Sequence, residues 1–167
     1  MKEKASKLTY FYVFSFVALF VGIAIFLVCY ITKPFAYKKL ERIPEIAVEE
    51  ALTKHVSKSG SQTSYFVLLY SAESEENELI EDAVLEYANL VRTQGKDGKL
   101  AKIYLLEYTK ENEAAIKALS SEFTSVDKCP ILFKVSSQKV STSSFDDTAS
   151  EINDCLNALI YSEQNKD

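Results

Sequence analysis

Sulfur and imidazole are scarce in this chain, and that scarcity excludes most metal and redox chemistry. The 167 residues hold three cysteines, Cys29, Cys129 and Cys155, and one histidine, His55. No two cysteines stand in C-x-x-C spacing, so the sequence offers neither a zinc knuckle nor a paired dithiol, and three cysteines make no disulfide framework. His55 sits between Lys54 and Lys58 with no further ligand in reach, which reads as a helix end or a solvent-facing position. Glycine is equally thin, at four residues, and no phosphate loop, dinucleotide fingerprint or nucleophile elbow occurs. No N-x-S/T sequon occurs either. Basic residues are outnumbered 19 to 24, for a net charge of −5, and the lysines are scattered. Nucleic acid, which demands clustered Lys and Arg, is not an expected partner. The acidic run Glu73 to Asp82 lacks the alternating oxygens and turn glycine of a calcium loop, so it reads as a solvated helix start. No cofactor or metal is expected.

What the chain does have is one long apolar block. Tyr10 to Ile31 reads YFYVFSFVALFVGIAIFLVCYI, free of charge and about as long as the ~20 helical residues that span a bilayer core. Tyr10, Tyr12 and Tyr30 lie near its ends, where interfacial rings are favoured, and Lys7, Lys33 and Pro34 fence it. A cleaved signal peptide would be shorter and would end in small residues, unlike Phe26-Leu27-Val28. Val28 before Cys29 also argues against a lipoprotein signal, leaving Cys29 as a small apolar residue. The expectation is an uncleaved single-pass signal anchor in a cell membrane. It contacts lipid through residues 10–32, follows a short tail at 1–9, and displays its soluble domain on the extracytoplasmic side. Ala18, Gly22 and Ala24 are small enough for close contact between helices.

Residues 33–43 read as a basic juncture at the membrane surface, with Lys38, Lys39 and Arg42 near lipid headgroups. Residues 44–161 read as one small domain, and 162–167 as a polar tail. Pro44 suits the first turn of a helix reaching Lys58, with Glu45, Glu49 and Glu50 at its positive end and Ser59-Gly60-Ser61 as its stop. Tyr65 to Tyr70 is continuous, β-branched and aromatic, as in a central strand covered on both faces. Leu79, Ile80, Ala83, Val84, Tyr87, Ala88 and Val91 recur at helical spacing, with Ser71 or Ser74 as cap and Gly95 to Gly98 as the break. Ile103 to Leu106 predicts a second strand, and Glu111 to Phe123 a helix carrying Ala115, Ile116 and Leu119 inward. Ile131 to Val135 and Lys139-Val140 predict a hairpin around Ser136-Ser137-Gln138. A last helix is expected from Ser143/Ser144, burying Ala149, Ile152, Leu156, Leu159 and Ile160. Strand–helix–strand order predicts parallel pairing, closed by antiparallel strands, in an α/β fold.

That order, with Val126-Asp127-Lys128-Cys129-Pro130-Ile131-Leu132-Phe133 ahead of the hairpin, resembles the thioredoxin fold over roughly residues 44–161. The resemblance implies an α/β/α three-layer sandwich in which a cis-proline, here Pro130, faces the start of the helix after the first strand. Thioredoxins carry C-x-x-C at that helix start; this chain has Ser74-Glu75-Glu76-Asn77. Dithiol exchange needs a thiolate and a resolving thiol, so the resemblance implies a redox-inactive accessory module, not an enzyme. Such a module would bind a protein beside Ser74, Glu75, Glu76, Asn77, Cys129 and Pro130, possessing no catalytic residue, and would fit a subunit of a membrane complex. The alternative is a thiol-dependent oxidoreductase using a lone Cys129. Cys155, among Ile152, Leu156 and Leu159, reads as core. A Cys129–Cys155 disulfide requires Cα atoms within about 7 Å.

Overall fold

The computed structural model describes residues 2–32, 36–54, 64–94, 100–124 and 129–165, with the side chains of these except 2–9, 26–32 and 142–144. Two compact units divide the chain, residues 1–35 and 36–167. His55, Gly95 to Gly98, Val126 to Lys128, and the side chain of Cys29 lie outside the described residues.

The first unit is a helix, α1 (Lys2–Thr32). Its described side chains, 10–25, are all exposed, from Ile23 at 48% to Tyr10 at 75%. Among the described residues, however, no helix is long and apolar enough to cross a membrane. This corrects the expected transmembrane helix over 10–32, and with it the fold class that included it. The signal anchor and the single-pass, extracytoplasmic location fall with it, and the expected bilayer contact loses the helix it rested on.

The second unit is α/β, built on a mixed four-stranded sheet in the order β2-β1-β3-β4. The strands are β1 (Tyr65–Tyr70), β2 (Lys102–Glu107), β3 (Ile131–Ser136) and β4 (Lys139–Asp146). The helices are α2 (Asn77–Thr93), α3 (Glu113–Lys117) and α4 (Ala149–Gln164). β1 runs parallel to β2 (Val67↔Tyr104) and antiparallel to β3 (Val67↔Phe133). Its unbroken apolar run reflects burial on both faces: all six residues are buried, and alternate side chains serve opposite layers. Phe66, Leu68 and Tyr70 join Ile80, Val84 and Tyr87 of α2 and Ile152, Leu156 and Ile160 of α4. Tyr65, Val67 and Leu69 join Tyr104, Leu106, Ile116, Phe123, Phe133 and Val135 on the other face.

Residues 44–54 do not form the start of the helix expected to reach Lys58; 55–58 lie outside the described residues. The N–H of Leu105 donates to Pro44 O (3.0 Å) and that of Ile46 to Leu105 O (2.9 Å), so the segment pairs along the edge of β2. Backbone pairing there, with Ile46 buried, outcompetes helical spacing; only a 3-10 turn, Val48–Glu50, follows. Another turn, Leu40–Arg42, lies ahead, and Leu40 and Ile43 are buried core residues. Within the stretch read as a juncture, Leu40 and Ile43 thus belong to the core of the second unit.

The third helix is shorter than expected at both ends; it starts at Glu113 because the Asn112 side chain shapes the turn before it, its Nδ2 donating to Glu107 O (2.8 Å) and its Oδ1 accepting from the Thr109 N–H (2.9 Å). β4 is longer than expected. It continues to Asp146, since Phe145 pairs with Phe133 and its ring meets Phe123 edge-on at 5.2 Å. Pairing jumps from Phe133↔Phe145 to Lys134↔Ser141, a bulge of the kind that discourages pairing along an edge strand. Ser143 and Ser144 therefore lie in the strand, and Thr148 caps α4 instead, its Oγ1 accepting from the Glu151 N–H (3.3 Å).

The β3–β4 turn holds Ser137 at φ 53° and Gln138 at φ 59°, both left-handed, as a two-residue hairpin of primed type requires. Left-handed backbone costs an L-residue about 1–2 kcal/mol, whereas glycine adopts it freely but loses more entropy on folding. Gln138→Gly is expected to raise stability by roughly 0.5–1 kcal/mol, read as a higher urea midpoint. A lower midpoint would contradict the turn assignment.

Candidate functional site

The site foreseen on Ser74 to Asn77 and Cys129-Pro130 draws on two segments more than fifty residues apart, and one hydrogen bond joins them. Ser74 Oγ donates to the Cys129 carbonyl at 3.0 Å. β1 delivers the chain to Ser71, after which two turns precede α2: the Ser74 N–H donates to Ser71 O (3.0 Å) and that of Asn77 to Ser74 O (3.3 Å). α2 begins at Asn77, and neither Ser71 nor Ser74 caps it; Glu76 takes the N-cap position without a side-chain bond. The expected cap fails because the Ser74 hydroxyl is engaged across the loops.

Asn77 Nδ2 closes the turn on Ser71 O at 2.7 Å, while its Oδ1 is buried with no hydrogen-bond partner among the described residues. Glu73, Glu75, Glu76 and Glu78 are exposed around this helix start, whereas Ser74 and Asn77 are half-buried. Across the loop, Cys129 is 5% exposed and packs into the layer that holds Ile131 and Phe133. Pro130 is buried, and the bond between Cys129 and Pro130 is cis. All six residues are therefore placed, with only Glu75 and Glu76 fully open to solvent.

Chemically the arrangement is quiet. Ser74 is held as a donor to a carbonyl, and among the described residues no group of three or more His, Cys, Asp or Glu is placed to hold a metal ion. Tyr70, at the end of β1, donates to Glu45 Oε1 at 3.1 Å. Burial first, then that bond and the carboxylates of Glu45, Glu107 and Glu41, push its hydroxyl well above the usual tyrosine range.

The other cysteine belongs to a grouping that the sequence did not disclose. Cys155 of α4 packs against the layer of α2 and α4, opposite the layer of Cys129, and the two are not joined by a disulfide. The sheet lies between them. Its thiol donates to the Asp146 carboxylate; burial first, then that charge, pushes the thiol up to about 11. Burial also raises the Asp146 carboxyl, against the lowering effect of the thiol bond. Lys134 lies on the same side, its Nζ 5.9 Å from the centre of the Phe66 ring. The missed signal was the length of β4, which carries Asp146 back over the sheet.

Comparison with known proteins finds no family model that matches this chain, and no match among curated proteins or solved structures.

Proposed function

We propose that residues 36–167 form a redox-inactive, thioredoxin-like module that binds another protein at the α2 start and the Cys129-Pro130 loop. The observation that carries this reading is the Ser74–Cys129 hydrogen bond. It places the helix start and the proline loop side by side at the end of the central strand, with a hydroxyl where an exchange thiol would stand. A serine hydroxyl held as donor to a backbone carbonyl is not aimed at a base, as an activated nucleophile would be. The parallel β1–β2 pair, the antiparallel β3 and the closing β4–α4 follow the order expected of that fold. Glu75 and Glu76 supply an exposed polar rim.

The alternative of Cys129 as a lone redox thiol is disfavoured by its burial at 5% exposure, since thiol reactivity needs access and an electropositive setting. Two measurements test the proposal. Insulin disulfide reduction by the purified chain is expected to stay at the uncatalysed rate; a clear acceleration would sink the redox-inactive reading. A photoreactive residue at Glu75 is expected to trap a discrete protein adduct in cells, and one at Asn157, exposed on α4, is not. Equal trapping at both, or none at Glu75, would contradict the assigned face.

A further inference from the structure

The segment that enters the second compact unit is held by two different kinds of contact. From Leu40 inward the attachment is apolar: Leu40 is 6% and Ile43 2% exposed, both within the α2/α4 layer. Ahead of Leu40 the half-buried Tyr37 packs against that layer, and the rest of the hold is polar. The Asn89 carboxamide grips the Tyr37 backbone twice, its Oδ1 accepting from the Tyr37 N–H at 2.7 Å and its Nδ2 donating to Tyr37 O at 3.0 Å. A side chain here does what a neighbouring strand does in a sheet. The Arg92 guanidinium lies 4.6 Å from the centre of the Tyr37 ring, and Glu81 Oε1 accepts from the Leu40 N–H at 3.3 Å. Tyr37, Glu81, Asn89 and Arg92 are all half-buried, and Ala36, Lys38 and Lys39 are exposed.

Contacts of this kind open locally at far lower cost than core packing does. Individual hydrogen bonds and exposed cation–π pairs contribute little net stability, whereas withdrawing Leu40 and Ile43 would expose apolar surface. We propose that Ala36–Lys39 is a reversible latch, clamped on α2 by Asn89 and Arg92, that releases without unfolding the domain. Release frees residues 36–39, adding up to about 14 Å of tether ahead of Leu40 at ~3.4 Å per extended residue. This inference is independent of the protein-binding reading.

Limited trypsin digestion of the full chain tests it, because cleavage after Lys38 or Lys39 requires this segment to leave α2. Asn89→Ala is expected to speed that nick at least tenfold, while the fragment running to Asp167 stays resistant and keeps its far-UV circular dichroism. Arg92→Gln, which leaves the Asn89 clamp intact, is expected to give a smaller acceleration, and it serves as the readout if Asn89→Ala fails to fold. Nicking of the folded variant at the wild-type rate would overturn the latch. So would loss of the fragment in step with the nick, which would mean that the segment opens only by global unfolding.

Discussion

Phe133→Ala is expected to remove a large share of the stability of the second compact unit, roughly a third to a half. Phe133 is fully buried in β3, paired with Val67 of the central strand on one side and Phe145 on the other. Its ring meets Phe123 edge-on at 5.1 Å, and Phe123 in turn meets Phe145 at 5.2 Å, so one truncation opens a void beside the two remaining rings. Phenylalanine-to-alanine changes in cores cost about 3–5 kcal/mol through lost burial and the residual cavity. Small domains have about 5–15 kcal/mol in total. Urea denaturation is the measurement: with a slope of ~1–3 kcal/mol per molar, the midpoint should fall by roughly 2 M. Phe133→Leu should fall less, because it keeps most of the apolar surface covered. A Phe133→Ala midpoint within about 0.3 M of the parent would mean that this layer is not packed as described.

Cys155 is expected to alkylate far more slowly in the folded chain than in urea, and the contrast should shrink as pH rises. Only the thiolate reacts, and burial, then the Asp146 charge, moves this thiol from an ordinary 9.0 up to about 11. At neutral pH that shift lowers the thiolate fraction, and with it the rate, about a hundredfold. Peptide-resolved mass spectrometry after brief iodoacetamide labelling separates Cys155 from Cys129 and Cys29. Asp146→Asn should recover part of the rate, since desolvation is the larger cause and remains.

The same thiol has a consequence for stability. A group whose pKa is higher folded than unfolded favours the folded state fully below its unfolded value, and that contribution is lost as pH climbs through the folded one. For Cys155 the window runs from about 9 to about 11. Burial also raises Tyr65, Tyr70, Tyr87 and Tyr104 above the ordinary 10.0, so each acts in the same direction. Urea midpoints should fall on going from pH 8 to pH 11. Equal labelling of Cys155 in folded and unfolded chain, or midpoints flat across that range, would refute the buried placement.

Periodicity was enough for the sheet and its long helices. Alternation and continuity marked β1, β2 and β3 because buried strands have few alternatives to β-branched and aromatic residues, and the spacing of Ile80, Val84 and Tyr87 marked α2. The site was half legible: Ser74 and Cys129 could be named from sequence, but the hydrogen bond between them belongs to the fold. Length of apolar sequence misled at 10–32, since among the described residues no helix is long and apolar enough to cross a membrane. It misled again at 44–58, where Pro44 and Ile46 found partners on Leu105 instead of within their own segment.

The sequence alone determined which segments are apolar enough to be strands or core-facing helices, and that a serine, Ser74, stands in place of a thiol. Both follow from side-chain chemistry read along the chain; the fold puts Ser74 in the turn ahead of α2, which itself begins at Asn77. Tertiary structure decided where each short polar segment ends up: Asn89 on Tyr37, Ser74 on Cys129, and the Cys155 thiol on Asp146. A backbone or polar side chain takes whichever partner the fold brings within about 3 Å, and that distance is not written in the order of residues.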